Sequence, residues 1–223
     1  MTRHAMARLA GWLYLATLPT AGFAYGYLAF MPKDDPAALL TALADARQTL
    51  GWTVLLGAVG YVNYLVMAAL FHRLLAPAGK VLADLLVLLV TASVPLALAA
   101  LAQRMELTAL LDAGQLQPGD AFGLLRREEQ LIQLATIFWG LWMMPLGWLS
   151  WRAGLVPKAI GLGLVAGGFG YLSGFVLPVL AVVPPPAVAG VLMGVTLVSE
   201  FAFMGWLIVR GAGNLADVAP AGA

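Results

Sequence analysis

The chain is 223 residues long, 62% hydrophobic and only 10% charged, with a formal net charge of +1. Soluble domains carry about 25% charged residues, so this composition excludes a globule solvated by water, and the near-zero charge gives no reason to expect nucleic acid or an acidic partner. Cysteine is absent, which excludes disulfides, thiolate nucleophiles and thiolate metal sites together.

The apolar residues gather into runs at 9–30, 50–73, 81–102, 130–151, 158–183 and 187–210. Each meets the requirement of roughly 20 residues for a helix crossing ~30 Å of hydrocarbon. The pattern predicts an all-α, polytopic integral membrane protein, a six-transmembrane-helix bundle with short amphipathic helices at the outer interface. One transmembrane domain over 1–212 and a disordered cytoplasmic tail over 213–223 are expected. Arg3 and Arg8 precede the first run, but that run is longer than the ~7–15 residues of a signal-peptide core, so a retained first helix is expected.

The links differ in character. Residues 36–50 place Leu39, Leu40, Leu43 and Ala46 or Arg47 at helical spacing, which predicts a short amphipathic helix on the outer surface. Residues 103–129 read similarly, broken by Asp112-Ala113-Gly114 and by Gln117-Pro118-Gly119-Asp120. The links 74–80 and 152–158 are tight, each with Gly, Pro and a basic residue, so their flanking helices pack as antiparallel neighbours. Pro184-Pro185-Pro186 makes a stiff turn before the last run. With the N-terminus inside, the short inner links carry Arg73, Lys80, Arg152 and Lys158, beside Arg3, Arg8 and Arg210 near the termini. The longer outer links hold Lys33, Arg47, Arg104, Arg126 and Arg127 together with most of the acids. The positive-inside rule then places both termini in the cytoplasm of a bacterial inner membrane. Pro19 and Pro145 occupy equivalent points of the two halves, as an inverted repeat would have them, but no other self-similarity accompanies them.

Glu200 is the sharpest chemical signal. It lies mid-way along the last run with no compensating charge nearby, and a carboxylate at that depth costs about 2.5–3.5 kcal/mol on insertion scales. It must therefore face protein. Thr196, Glu200, Met204 and Leu207 share a stripe with Met193; Gly190, Gly194, Phe201 and Gly205 form another, suited to close helix contact. Asn63 and Tyr64 in the second run, Gln133 and Thr136 in the fourth, and Tyr171 in the fifth are the polar candidates to join Glu200 in a ligand or proton site. Equally, each makes an isolated interhelical hydrogen bond worth ~0.6 kcal/mol. Lys80 and Asp84 are four apart and form a structural ion pair on one helix face. Gly163, Gly167, Gly170 and Gly174 leave a smooth groove for a neighbouring helix or, less commonly, a lipid tail or flat ligand.

No phosphate loop, His-Glu-x-x-His or Gly-x-Ser-x-Gly motif is present, and no intramembrane histidine stands ready to activate Ser150, Ser173 or Ser199. No enzyme, metal or cofactor is expected. The chain does resemble a known group, on Ala7-Arg8-Leu9-Ala10-Gly11-Trp12-Leu13-Tyr14, Phe138-Trp139-Gly140-Leu141, Leu146-Gly147-Trp148-Leu149, Gly154-Leu155-Val156-Pro157-Lys158, Gly161, Gly170-Tyr171-Leu172, Glu200, Trp206-Leu207 and Arg210-Gly211. These are similar to the bacterial membrane family catalogued as domain of unknown function 4386. The resemblance covers nearly the whole chain; it implies six helices and nothing about activity. The functional expectation is binding or transport of a small solute, a proton-coupled substrate or a lipid around Glu200. The alternative is a non-catalytic accessory or regulatory subunit whose buried polar residues only fasten helices. Membrane lipids are the expected partners, with a homo-oligomer or a partner membrane subunit beside them, and no nucleic acid.

Overall fold

The computed structural model describes residues 1–29, 31, 32 and 34–212; the tail expected over 213–223 lies outside the described residues. Among them there is helix and no strand: α1 (Arg3–Ala29), α2 (Pro36–Asp45), α3 (Arg47–Leu75), a 3₁₀ turn (Ala76–Ala78), α4 (Lys80–Asp112), α5 (Pro118–Arg152), α6 (Lys158–Val179) and α7 (Pro186–Arg210). Five of these, α3 with its 3₁₀ extension and α4 to α7, are long and apolar enough to cross a membrane. At 27 residues α1 is long enough too, but Tyr14, Thr17, Pro19, Thr20 and several glycines dilute its hydropathy and it falls outside the five. Apolar side chains such as Val62, Leu88, Val198 and Phe201 are exposed, an arrangement that lipid tolerates and water does not.

Helix lengths depart from the sequence reading between 103 and 129. No separate short helix forms there. At 33 and 35 residues, α4 and α5 reach about 50 Å each at 1.5 Å per residue, beyond what hydrocarbon requires. Nothing before Asp112 tells the helix to stop. It ends where Gly114 takes a positive φ of 66°, with Gln115 N–H donating to Leu110 O and Gly114 N–H to Leu111 O. That pair of bonds is a Schellman cap. The same device closes α5 at Gly154. It also closes α6 at Ala181, a non-glycine at φ 54°, so α6 stops at Val179 rather than running to 183. The helix expected over 36–50 is divided at Ala46: α2 starts on the Asp35 side chain, which accepts from Ala37 N–H and Ala38 N–H at 2.9 and 3.2 Å, and α3 begins afresh at Arg47.

The chain divides into two compact units. The first comprises Met1–Leu15, Tyr64–Ser93 and Thr136–Ala223, the second Ala16–Asn63 and Val94–Ala135. In the second, Leu39 and Leu43 of α2 are fully buried with Leu50, Leu107, Ala121 and Leu124. The apolar face of α2 thus packs on protein.

In the first unit, glycines set the helix spacing. A Cβ at Gly168 of α6 would lie 2.6 Å from Gly140 O of α5, and one at Gly161 would lie 2.7 Å from Gly147 O. The two helices therefore meet backbone to backbone. On its other side α6 offers Gly163 and Gly167 to α7, where Ser199 Oγ donates to Gly163 O and Thr196 Oγ1 to Gly167 O, both at 2.9 Å. The sequence placed Gly174 in this seam and expected Gly190, Gly194 and Gly205 to meet a helix. Among the described residues nothing stands within 4 Å of a Cβ at any of the four; α7 instead presents Thr196 and Ser199 to α6.

Candidate functional site

Glu200 sits about 15 Å from the Arg210 end of α7, on the buried face with Thr196, Ser199, Phe203, Met204 and Leu207. Met193, expected on the same stripe, is half exposed. Glu200 retains only 5% exposure. Its two oxygens face different helices. Tyr14 of α1 donates its hydroxyl to Oε1, and Tyr171 of α6 donates to Oε2 at 3.2 Å. A carboxyl at this depth must be hydrogen-bonded, because the hydration it forgoes has no other replacement. Two phenols on two neighbouring helices provide that replacement.

Around this carboxyl stands a collar of rings. The Tyr14 centroid lies 5.6 Å from Trp142, 6.2 Å from Phe203 and 6.4 Å from Phe71. Tyr64 stands perpendicular to Trp142 at 5.1 Å, and Tyr171 meets Trp139 edge-on at 6.3 Å. Such tilted and T-shaped pairs are each worth ~0.5–1.5 kcal/mol beyond burial. Helices α1, α3, α5 and α7 contribute rings to one apolar collar, and α6 adds Tyr171 beside it.

Of the six residues the sequence nominated, Glu200 and Tyr171 are bonded to each other, Tyr64 is tied to the collar through Trp142, and half-buried Thr136 belongs to the same unit. Asn63 and Gln133 belong to the second unit, where Asn63 Nδ2 donates to Thr17 Oγ1 at 2.8 Å. Tyr14 was missed. The signal available was its place in the run that carries the family resemblance, ending Trp12-Leu13-Tyr14. The hydroxyls of Ser173 and Ser199 donate to backbone carbonyls.

Charged groups cluster in two further places. In the first unit, Lys80 Nζ lies 2.7 Å from Asp84 Oδ2, as the four-residue spacing predicts, and His72 Nε2 of α3 lies 2.8 Å from Asp84 Oδ1. In the second unit, the Arg104 side chain is fully buried and forks onto Glu128, whose side chain is 4% exposed. The sequence reading had left both in an outer link. Beside them Arg127 Nε donates to Gln103 Oε1 at 3.0 Å, and Arg47 pairs with Asp112 where both are exposed. Among the described residues no group of three or more His, Cys, Asp or Glu side chains could hold a metal ion.

The first unit also has a cleft of about 510 Å³ at the Pro184 end of α6 and α7, lined by Gly170, Ser173, Gly174, Pro178, Leu192 and Met193 among others. A family model with the description "Domain of unknown function (DUF4386)" matches residues 9–211. The chain belongs to that family. No curated protein and no solved structure matches it.

Proposed function

We propose that this member of the family is a six-span protein of the bacterial inner membrane, with both termini cytoplasmic and α1 as the sixth span. In this reading it is a non-catalytic accessory or regulatory subunit, and Glu200 is a clasp that fastens helices. One observation carries this: the Glu200 carboxyl is almost sealed, and each oxygen takes a phenolic hydroxyl from a different helix. A carboxyl kept for a ligand would hold an oxygen open towards a cavity; this one has both engaged. The insertion cost of Glu200 is then offset by tying α1, α6 and α7 together at mid-membrane. A tight approach of α1 to α7 supports the sixth span, since a Cβ at Gly11 would lie 2.9 Å from Leu207 Cβ.

A second reading rests on Tyr171. It is only half-buried, and Gly170 and Ser173 on either side of it line the 510 Å³ cleft. In that case the cleft admits a small solute, a proton-coupled substrate or a lipid, and Tyr171 relays its presence to Glu200. Infrared difference spectroscopy in nanodiscs, wild type against Glu200→Gln, separates the two. The clasp predicts a carboxyl band unchanged between about pH 5 and 8, the range in which tuned groups titrate, and a Glu200→Gln variant that still folds. A band that titrates in that window overturns the clasp and supports the second reading.

A further inference from the structure

The α3–α4 hairpin of the first unit carries a groove of about 440 Å³ lined by Ala69, His72, Arg73, Asp84, Val87 and Leu88. Its volume falls within the ~300–1,000 Å³ of ligand clefts. Its polarity is graded along the helices. Arg73 stands two residues before the end of α3 and Asp84 four after the start of α4, so the charged end lies at the level of the hairpin turn. Ala69 on α3 and Leu88 on α4 are each one turn, about 6 Å, further in, and with Val87 they make an aliphatic wall. A charged rim above an aliphatic wall is the complement of a lipid, a headgroup above an acyl chain.

The charges choose which lipid. Asp84 already has two partners, Lys80 at 2.7 Å and His72 at 2.8 Å. Arg73 is exposed and makes no ion pair with any described residue. The hairpin thus sets one carboxylate, paired with Lys80, against two permanent cations, and the second of them, Arg73, lines the groove. Guanidinium groups present parallel N–H donors that match the oxygens of a phosphate. Basic grooves between membrane helices at the level of the headgroups are a recurrent mode of anionic lipid recognition.

We propose that this groove is a binding site for an anionic phospholipid, its phosphate held by Arg73 with Lys80 and His72 at the rim and an acyl chain along Ala69, Val87 and Leu88. Lys80 is tethered through Asp84, so that carboxylate sets how much positive charge the rim offers. The site lies apart from Glu200 in its residues and does not depend on whether Glu200 titrates.

The test uses the full chain purified in detergent, incubated with phosphatidylglycerol or phosphatidylcholine, with retained lipid counted by native mass spectrometry. Phosphatidylglycerol is expected to be retained in preference to phosphatidylcholine. Arg73→Gln should weaken phosphatidylglycerol retention about fivefold, the value of one basic residue near an anionic headgroup. Asp84→Asn should strengthen it, a gain that a misfolded variant cannot imitate. Arg152→Gln, which removes another exposed cation of the same unit, should leave it unchanged. Equal retention of the two lipids, an Arg73→Gln protein that binds like wild type, or a loss in Arg152→Gln equal to that in Arg73→Gln overturns the proposal. So does millimolar inorganic phosphate that displaces the lipid completely, which would make the site one for free phosphate.

Discussion

Replacing Tyr14 by Phe removes one oxygen from the centre of the first unit and leaves every ring contact in place. Tyr14 is 3% exposed, with Phe71, Trp142 and Phe203 around it. The cost is therefore that of the hydroxyl alone. Hydrogen bonds to charged groups contribute ~1.5–3 kcal/mol, and a buried acceptor left without its donor costs ~1–3 kcal/mol. Polar contacts between membrane helices average lower, ~0.6 kcal/mol. Burial decides between these figures: the lower average comes from sites where an alternative partner is at hand, whereas the collar around Glu200 is apolar on the Tyr14 side. Tyr14→Phe is expected to cost about 1–3 kcal/mol. Tyr171→Phe is expected to cost less, below about 1 kcal/mol, because Tyr171 is half-buried and its bond, at 3.2 Å, is long for a hydroxyl donor. Reversible unfolding of the purified protein in detergent, followed by helical circular dichroism, measures both. A double-mutant cycle of Tyr14→Phe with Glu200→Gln should be strongly non-additive. If Tyr14→Phe unfolds with wild-type stability, or if Tyr171→Phe is the more damaging of the two, the clasp reasoning is wrong.

Three further outcomes follow from the packing. Gly168→Ala puts a methyl 2.6 Å from Gly140 O, a backbone atom that cannot step aside. Overpacking of ~1–3 kcal/mol should outweigh the helix-propensity gain of ~1 kcal/mol, while Gly174→Ala, with open space around it, should be neutral or stabilising in the same unfolding assay. Arg104→Gln takes the guanidinium away from the buried Glu128 carboxylate and should cost about 3–5 kcal/mol, whereas Arg104→Met with Glu128→Leu should come close to wild type; equal damage from the single and double changes would contradict this. Ala181 holds a left-handed conformation at the end of α6, so Ala181→Gly should raise stability by about 1 kcal/mol, and a loss of stability would show that its methyl matters more than its strain.

What lipid dictates is legible in the chain, and what helices dictate to one another is much less so. The long apolar helices could be read because hydrocarbon demands some 20 apolar residues in sequence, and the order and ends of α3, α6 and α7 follow within a few residues. The stretch 103–129 could not. Arg104, Arg127 and Glu128 look like residues of a solvated link, and nothing local reveals that Arg104 answers Glu128 and Gln103 answers Arg127. The position numbers of the two pairs sum to 232 and 230, close to the constant sum that antiparallel helices keep, so both pairs belong to one level of the α4–α5 hairpin. Once that register exists Arg104 and Glu128 neutralise one another and Arg127 has a hydrogen-bond acceptor, so the helices have no reason to stop short. Charge read residue by residue implies a loop; charge read in pairs implies a helical hairpin.

The Glu200 site shows the same division. That Glu200 must be buried and bonded follows from its depth alone. Its partner follows from a direction that no single helix contains. In the antiparallel pair α6–α7, Gly167 stands level with Thr196, whose hydroxyl donates to Gly167 O. Tyr171 is one turn beyond Gly167 and Glu200 one turn beyond Thr196, so their backbones lie on opposite sides of that level. Side chains on a helix lean towards its N-terminus. Tyr171 therefore leans back towards Gly167 and Glu200 back towards Thr196, and in an antiparallel pair those two directions converge. The glycines at 163 and 167 bring the helices close enough for the convergence to become a hydrogen bond. A stripe that reads in sequence as plain packing thus helps determine what the one carboxyl of α7 can touch. Tyr14 completes the site from α1, where Gly11, almost one turn away, permits a comparable approach to Leu207 and Ile208 of α7. In both cases a glycine within a turn of the tyrosine brings its helix up to α7, and the phenol then reaches the carboxyl.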